Sequence, residues 1–540
     1  ARRLEVIVSR DLVRAYLAGE VRALQPDDEP GAPPFAPSAL ARAVARARRP
    51  LAPEVHTVLA AQNARLAPSP ARDAHLEALG RGAAVVVTGQ QVGLFLGPLY
   101  TIYKAASAVV VARTLAAESG APVVPVFWLQ TEDHDLVEIA SANVPGAGPC
   151  ETIAAPIDRE NRISIAHHAL PPEIGACIER LEAALGEGSL AQAHIARLRR
   201  HYRAGASWSG AFAGVLAELF APEGLVMIDP RDPALAAVTA PVHARALVDA
   251  DRIAAAMVAR CGELERAGAS VPVHVRPGAP LSFFHPEGAL GPRVRLEPAP
   301  GEAAFAEVGS GSVHEAAALL AVLRDDPRRF STSALLRPIV QDALLPTVAY
   351  VGGPAEVAYF AQLGPLYRAF ERTPPLVVPR AKFRVTDHRT RKLLDRLGLA
   401  PSDAALSEES LLARLRPPGA DGADVARRLL EPFVASHGEL AAELADAGPQ
   451  IARALARTRG TVERAVGKLA GKVERARLYA DAERVDAVRR VRALLAPGGA
   501  PQERTLCLAA LAARVGDREL IERVLAAIDP FDGTLKELAA

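Results

Sequence analysis

The sequence predicts an α/β fold in which an open parallel sheet is covered by helices and followed by a separate helical unit. Short buried apolar runs alternate with helix-patterned segments and glycine-rich turns in the first three quarters of the chain. From about residue 395 onward, the chain becomes charged, rich in Ala and Leu, and almost free of strand signal. At 540 residues the chain exceeds one typical domain, so we expect several structural units.

The first repeating element of the sheet lies between residues 84 and 138. Ala84 to Thr88 is an apolar, β-branched run, Gly89 to Pro98 is a loop, and Tyr100 to Ala117 has helical periodicity. Val123 to Leu129 is apolar again, which completes a βαβ unit. Polar residues follow both strands, and parallel sheets bind ligands beyond the carboxyl ends of their strands. We therefore expect two polar clusters to face one crevice.

The remaining elements of the core follow from the same patterns. The predicted elements are a helix at 51–66, a helical run at 174–201, a short buried strand at 224–229, helices at 234–267, strands at 271–284 and 293–296, and a closing strand at 376–379. The predicted segments are an N-terminal helical wrap (1–80), core parts (81–144, 221–270 and 331–394), insertions (145–220 and 271–330), a helical coiled-coil domain (395–496) and C-terminal helices (497–540).

A heptad-like pattern in the helical unit predicts an antiparallel coiled coil. Gly448-Pro449 suits the corner of a helical hairpin. The alternative is an ordinary bundle helix that packs within its own domain, because the apolar seam is short and rich in alanine. The seam residues are Val462, Val466, Leu469, Val473, Ala476 and Ala480, which step by 4, 3, 4, 3 and 4.

Composition excludes several classes of function. The chain has 63 basic and 62 acidic residues, so its charge does not indicate a nucleic-acid or membrane partner. No window approaches the run of about 18 apolar residues that a membrane helix needs, and the N-terminus lacks a leader pattern, so we expect a soluble, cytoplasmic protein. No metal-ligand spacing or disulfide framework is evident among the scattered cysteines, which are Cys150, Cys177, Cys261 and Cys507.

The loop after the first strand is a candidate phosphate or nucleotide site. Its backbone N–H groups and the following helix N-terminus favour an anion, although the pattern matches no standard nucleotide motif. Lys104 lies one turn into that helix and is a candidate for neutralising a phosphate or a carboxylate. The alternatives are that the glycines only turn the chain and that Lys104 extends to solvent. The candidate residues are Gly89, Gln90, Gln91, Gly93, Gly97 and Tyr100.

Three acids and a histidine follow the second strand. Glu132, Asp133, His134 and Asp135 stand together. Repulsion should raise at least one carboxyl pKa, and the neighbouring carboxylates should raise that of His134. These residues are candidates for a general base or for binding a ribose or an amine. The alternative is a solvated loop that caps the next helix, and metal binding is less favoured because no distant ligand pair is evident.

A second group of polar residues lies between 336 and 362. Gly352-Gly353-Pro354 predicts a strand, a tight turn and a helix start, with Glu356 in the first helical turn. Glu356 either binds a hydroxyl or ammonium group or only complements the helix dipole. Tyr359 and Gln362 continue that face as a binding wall or as core. The candidate binding residues are Arg337, Gln341, Asp342, Gly353 and Glu356.

Four segments together closely resemble the bacillithiol biosynthesis cysteine-adding enzyme family, BshC. The resemblance implies a Rossmann-like core related to class I aminoacyl-tRNA synthetases, with connecting-peptide insertions and a helical coiled-coil domain that forms a homodimer. The histidines of the synthetase HIGH sequence are absent, and Ala381 to Arg384 is the nearest match to a KMSKS loop. The segments are VVVTGQQVGLFLGPLYTIYKA, PVFWLQTEDHDLVEI, LLRPIVQDALLPTVAYVGGPAEVAYFAQLGPLY and PPLVVPR.

The activity that the resemblance implies is the joining of L-cysteine to glucosaminyl-malate through an amide bond. Lys104 and the glycine-rich loop would then hold ATP or another nucleotide, and Asp133, His134 and Asp135 would orient the amine or take its proton. Arg337 would hold the malate carboxylates, with Glu132, Gln341, Asp342, Gly353 and Glu356 completing the pocket. Two alternatives remain at this point: transfer of an aminoacyl or nucleotidyl group to another acceptor, and a non-catalytic, nucleotide-binding coiled-coil assembly protein.

Overall fold

The computed structural model describes residues 35–146, 150–300, 303–416 and 422–540. The first 34 residues of the predicted N-terminal wrap (1–80) therefore lie outside the described residues. The described α-helices are Pro37–Ala47, Pro53–Ala64, Pro70–Gly80, Tyr100–Ser119, Leu136–Ile139, Ile174–Leu185, Ser189–His201, Trp208–Leu219, Pro233–Val248, Ala250–Arg266, Ala316–Asp325, Arg337–Leu344, Pro354–Phe360, Gly364–Ala369, His388–Leu397, Glu408–Arg414, Gly422–Glu443, Pro449–Leu478, Ala482–Leu495, Gln502–Thr505, Ala509–Val515 and Asp517–Ala527.

Strands are fewer and shorter than the helices. In chain order they are β1 (Ala84–Gln90), β2 (Val123–Leu129), β3 (Ser141–Val144), β4 (Glu151–Ala154), β5 (Val226–Ile228), β6 (Ser282–Phe284), β7 (Val294–Pro298), β8 (Ala304–Glu307), β9 (Val313–Glu315), β10 (Phe330–Thr332), β11 (Thr347–Gly352), β12 (Leu376–Pro379), β13 (Lys382–Thr386) and β14 (Leu535–Ala539).

The predicted parallel sheet forms the centre of the first part of the chain. Its order is β12-β11-β1-β2-β5, and every neighbouring pair is parallel. Val85 and Val87 pack in one apolar cluster, whereas Ala84 and Val86 pack in another on the opposite face. Both faces of β1 are therefore buried, which explains why the strand reads as a continuous apolar run rather than an alternating one.

Most of the predicted core elements are confirmed, with two differences. The helical run at 174–201 is broken into two helices, because Gly186 takes a positive φ of 81° after the first one. The strand predicted at 271–284 is confined to β6, and residues 271–281 form no strand. Three prolines and Gly278 interrupt the apolar residues of that stretch, and proline cannot donate a ladder hydrogen bond.

Smaller sheets surround the central one. The order β10-β6-β7-β8-β9 defines an antiparallel sheet, β3 pairs with β4 in an antiparallel ladder, and β13 pairs with β14 in a parallel one. The helices predicted over 497–540 are present, but this segment ends in the unpredicted strand β14. Its residues alternate between exposed and half-buried, so it lacks the buried apolar pattern that marks a core strand.

The chain forms two compact units. The first contains the described residues up to 144 together with 151–387 and 502–540, and the second contains the described parts of 145–150 and 388–501. The second unit is helical, and its two long helices, Gly422–Glu443 and Pro449–Leu478, form an antiparallel hairpin. Gly448 has a φ of 91° at the corner, and His437 reaches the carbonyl oxygen of Leu455 at 3.0 Å across the hairpin.

The packing of this hairpin differs from the predicted seam. Val462, Val466 and Val473 are half-buried as expected, but Leu469 is 46% exposed. Ala476 and Ala480 are exposed too, whereas Ala470 and Leu478 are buried in their place. Because a straight helix has 3.6 residues per turn, a seam of seven-residue spacing drifts around it, and these small side chains do not hold the seam in register.

Candidate active site

Two adjacent glutamines at the carboxyl edge of the central sheet contact the polar residues of the neighbouring segments. Gln90 ends β1 and Gln91 follows it, and the acidic residues that follow the neighbouring strand β2 begin at Glu132. The turn after β11, on the other side of β1, leads to Glu356. The polar segments after β1 and β2, which the sequence predicts to face one crevice, are in contact through Gln91 and Asp133.

Lys104 is the centre of the first cluster. Its Nζ donates to the carbonyl oxygen of Gly89 at 2.8 Å and to Oε1 of Gln90 at 3.0 Å, and it lies 2.5 Å from Oε2 of Glu356. The lysine side chain is only 4% exposed, so it does not extend to solvent. An ammonium group has three N–H donors, and all three are used by these contacts.

Glu356 is held from several directions. Its Oε1 accepts from the hydroxyl of Tyr350 at 2.5 Å, and its Oε2 accepts from the backbone N–H of Gly353 at 2.8 Å. Gly353 is the N-cap and Pro354 the first residue of the helix that carries Glu356, so the carboxylate caps its own helix. Burial raises the pKa of Glu356, but Lys104 outweighs this effect and holds the pKa below its ordinary value.

The pKa of Lys104 is also lower than usual. Burial disfavours its charged form, and the attraction of Glu356 offsets this only in part. We describe the two groups as a charged pair, because the carboxylate keeps its charge and has three donors around it.

Arg337 extends this cluster into the protein interior. Its Nη1 donates to Oε1 of Gln341 at 2.9 Å, its Nη2 donates to the hydroxyl of Tyr359 at 2.5 Å, and its guanidinium lies 4.9 Å from the centre of the Tyr350 ring. The residue is 4% exposed. Both terminal nitrogens are therefore used within the protein, and the arrangement does not present Arg337 as a clamp for substrate carboxylates. Tyr359 accordingly packs as core.

Asp342 lies at the opposite edge of the sheet from Lys104. It contacts a cavity of about 230 Å³ that is lined by Thr347 and Leu376, the first residues of β11 and β12. Its Oδ1 accepts from Gln341 at 3.1 Å and its Oδ2 from the hydroxyl of Tyr367 at 2.8 Å. The expectation that Asp342 completes the same pocket is wrong, because the helix that carries it runs back towards the amino ends of the strands. Burial raises the pKa of Asp342 to about 6.

Gln362 is likewise part of the core. It is fully buried, donates to the carbonyl oxygen of Val273 at 2.8 Å and contacts Sγ of Cys261 at 3.2 Å.

Arg380 and Glu503 form a buried ion pair beside the first cluster. Two parallel hydrogen bonds of 2.8 and 2.7 Å join the guanidinium to the carboxylate, and the side chains are 2% and 8% exposed. The guanidinium also lies 5.3 Å from the centre of the Tyr100 ring, whose hydroxyl accepts from Gln90. Sequence reasoning assigned no role to this pair. The two residues are 123 positions apart, so no local pattern could relate them.

The second cluster is built around Asp133 and His134. Arg293 donates from Nη2 to Oδ1 of Asp133 at 2.6 Å and from Nε to Nδ1 of His134 at 3.0 Å. Gln91 donates to Oδ2 of Asp133 at 2.9 Å. Arg162 places Nη2 3.2 Å from Nε2 of His134. Neither arginine was predicted, because Arg162 and Arg293 lie in the two insertions.

The pKa of His134 shifts opposite to the predicted direction, and the pKa of Asp133 is lowered as well. Burial raises the pKa of Asp133, but Arg293 and the hydrogen bond from Gln91 outweigh it and lower the pKa overall. The pKa of His134 is also lowered, first by burial and then by Arg293, against the opposing effect of Asp133. The sequence shows the crowded acids but not the two distant arginines that compensate them.

The other two acids have separate positions. Asp135 is the N-cap of the short helix Leu136–Ile139 and accepts from the backbone N–H of Glu138 at 3.2 Å, as the capping interpretation expects. Glu132 is 6% exposed and accepts from the backbone N–H of Thr332 at 3.3 Å and from its hydroxyl. Glu132 thus connects β2 to β10.

The glycine-rich loop is packed inside the protein. A side chain at Gly93 would clash with the carbonyl oxygen of Gly97, and one at Gly97 would lie 3.2 Å from Cβ of Cys507. Leu94, Phe95 and Leu96 between them are fully buried. These glycines turn the chain, and with all three donors of Lys104 already used, the residues do not form an open phosphate site. Nucleotide binding by Gly89, Gln90 and Gln91 stays a prediction.

The described residues contain neither a metal-ligand cluster nor a membrane-spanning helix. Within the described ranges, no group of three or more His, Cys, Asp or Glu side chains is arranged to hold a metal ion. In the same ranges, every helix is too short or too polar to cross a bilayer.

Comparison with known proteins identifies the family. Residues 37–381 match the model of the N-terminal Rossmann-like domain of bacillithiol biosynthesis BshC. The chain belongs to the BshC family. Residues 383–538 match the C-terminal coiled-coil domain of the same family. The resemblance, the Rossmann-like core with its parallel sheet and the coiled-coil domain are thus confirmed.

Individual BshC relatives are 36 to 38% identical to the chain over the aligned residues. Proteins named "Putative cysteine ligase BshC" from Koribacter versatilis and Salinibacter ruber are 38% and 36% identical over 363 and 370 residues. These alignments cover 67% and 68% of this chain and 66% of each relative, slightly less than two thirds. A third, from Solibacter usitatus, is 36% identical over 384 residues, which are 70% of both proteins.

Proposed function

We propose that the chain joins the carboxyl group of L-cysteine to the amine of glucosaminyl-malate and so forms bacillithiol through an amide bond. The relatives' name, cysteine ligase, supports the donor and the reaction type. The observation that carries the proposal is the pair of clusters at the carboxyl edge of the sheet. Gln91 and Arg293 hold Asp133, and Arg293 also contacts His134. Gln90, next to Gln91 in the chain, contacts Lys104 of the Lys104–Glu356 pair.

The charges of this edge suit the two substrates. Cysteine carries an ammonium and a carboxylate, and the acceptor carries an amine and the malate carboxylates. Asp133, whose pKa is lowered, stays ionised at neutral pH and can orient an ammonium group. Arg293 and Arg162 supply positive charge within reach of the same residues. Lys104 and Glu356 act as positioning residues, because their charges are satisfied within the protein.

Formation of an amide from a carboxylate and an ammonium ion also needs an activated acyl group. ATP is the co-substrate that we propose to test, although the loop from Gly89 to Lys104 is filled by its own contacts. We further propose that the protein is a cytoplasmic homodimer, formed through the helical hairpin of the second unit.

The deciding experiment incubates the purified protein with L-cysteine and glucosaminyl-malate, with and without ATP and Mg²⁺, and follows product mass. Bacillithiol only in the ATP mixture is the expected result and establishes a ligase. Formation of bacillithiol in the mixture without ATP would support the two proposed substrates and exclude a requirement for ATP. Absence of product from a folded protein in both mixtures contradicts the proposal.

A further inference from the structure

The environment of His134 is chemically unusual, because arginines face both nitrogens of its ring. Nε of Arg293 lies 3.0 Å from Nδ1, and Nη2 of Arg162 lies 3.2 Å from Nε2. Arginine has N–H donors and no acceptor. A neutral imidazole has one bare nitrogen and one N–H, so it can accept from only one of these two arginines.

Arg293 is the arginine whose position is fixed. Its side chain is 10% exposed, its guanidinium lies 4.4 Å from the centre of the Phe283 ring, and it pairs with Asp133 at 2.6 Å. Arg162, in contrast, is an exposed residue. The bare nitrogen is therefore Nδ1, which accepts from Arg293, and the proton is on Nε2.

This tautomer leaves two donors facing each other. The Nε2–H of His134 and the Nη2–H groups of Arg162 meet at a nitrogen–nitrogen distance of 3.2 Å, and neither supplies an acceptor to the other. An anionic oxygen between them would accept from both, and a carboxylate is matched to a guanidinium in particular. A proton on both ring nitrogens is disfavoured, because burial, Arg293 and Arg162 lower the pKa of His134 and outweigh the opposing effects of Asp133 and Asp135.

We infer that His134 and Arg162 form a subsite for a substrate carboxylate, with Arg293 as the positioning residue that fixes the imidazole as a hydrogen-bond donor. His134 then binds an oxygen through Nε2–H and does not act as the proton acceptor. This inference rests on the proposed function, which supplies carboxylates on both substrates. The carboxylate belongs either to L-cysteine or to the malate group.

The first test observes the ring nitrogens directly in the full chain. The protein is labelled with ¹⁵N-histidine, and the His134→Gln variant identifies the signals. We expect a bare Nδ1 and a protonated Nε2 at neutral pH. A protonated Nδ1 would overturn the inference. Arg293→Lys should keep an ion pair with Asp133 but lose the second hydrogen bond, so the two tautomers should mix. Arg295→Gln, two residues away on β7, is the matched control and should leave the signals unchanged.

Ligand titration identifies the source of the carboxylate. L-cysteine and malate are added separately to the labelled protein, with cysteamine, which lacks the carboxylate, as the control for cysteine. A shift of the Nε2 signal with L-cysteine but not cysteamine assigns the site to the amino acid, and a shift with malate assigns it to the acceptor. Unchanged signals with every ligand would overturn the inference.

Kinetics of an exposed variant complete the test. Arg162→Gln should raise KM for the substrate identified in the titration by about tenfold or more, as expected for loss of a charged hydrogen bond, with a smaller change in kcat. An unchanged KM would contradict the subsite. The nitrogen signals and their response to carboxylates do not depend on turnover. A protein that shows them but makes no bacillithiol would therefore disprove the proposed function alone.

Discussion

Gln90 and Gln91 are neighbours in the chain, yet their side chains enter two different clusters. Oε1 of Gln90 accepts from Lys104 at 3.0 Å, and Nε2 of Gln91 donates to Asp133 at 2.9 Å. Successive residues at the end of a strand point in opposite directions, so a pair of amides can contact both groups. The end of β1 thus connects the polar residues that follow β11 with those that follow β2.

The Lys104–Glu356 pair should be strongly coupled. Lys104→Met leaves the carboxylate without its partner, and we expect the free energy of unfolding to fall by about 3 kcal/mol. Glu356→Gln should cost a similar amount, and the double variant should lose much less than the sum. Urea unfolding of the four proteins measures the coupling. Additive losses would show that the pair does not interact as the structure indicates.

The buried pair of Arg380 and Glu503 should matter far more than a similar pair at the surface. Arg380→Met is expected to lower the free energy of unfolding by about 3 to 5 kcal/mol, because Glu503 remains buried without a partner. Arg384 lies on β13 and pairs with Glu537, which is 45% exposed, so Arg384→Met is the matched control. The control should change stability by less than about 1 kcal/mol. Equal effects in thermal unfolding would contradict the prediction.

Stability should fall with rising pH through the titration of Asp342. Burial raises the pKa of this residue from 3.8 to about 6, so the native state holds a proton that the unfolded state has released. The wild type should therefore lose about 2 to 3 kcal/mol relative to Asp342→Asn as the pH rises across that interval, and no more above it. Unfolding of both proteins at several pH values measures the difference between their free energies of unfolding. A difference that stays constant with pH would contradict the prediction.

Removal of the charge of Asp133 should impair turnover without unfolding the protein. Asp133→Asn keeps the shape of the side chain but weakens its hold on Arg293, and we expect kcat/KM to fall by about a hundredfold through misplacement of the cluster. Asp158→Asn, an exposed acid on the loop that carries Arg162, should retain wild-type activity. Near-normal turnover of Asp133→Asn would exclude the second cluster from the chemistry.

The helical hairpin exposes apolar residues on both of its long helices. Leu440 and Ile451 are 44% and 40% exposed on its two helices. If the hairpin forms the proposed dimer, Leu440→Lys with Ile451→Lys should convert dimers into monomers in analytical ultracentrifugation, since each change places a charge in an apolar interface. Thr458→Lys, an exposed polar position on the same hairpin, should leave the dimer intact. A wild-type monomer would contradict the proposal.

Sequence patterns could predict the central sheet because each of its strands is a local apolar run bounded by turn residues. The proximity of the segments that follow β1, β2 and β11 could be predicted from the geometry of parallel strands. The contact between Arg293 and His134 could not be predicted, because the two residues are 159 positions apart and Arg293 lies in an insertion with an ordinary strand pattern. The roles of Lys104 and Arg337 depended on burial and on partners, which a single sequence does not reveal.

The strand β14 has a consequence for how the protein is made. Its partner β13 precedes the second unit in the chain, and the segment that supplies Glu503 and β14 follows that unit. While a ribosome is still translating the second unit, β13 lacks its partner strand and Arg380 lacks Glu503. Completion of the first unit therefore has to wait until the residues after 501 emerge, and during that interval the nascent chain exposes a strand edge that chaperones can protect.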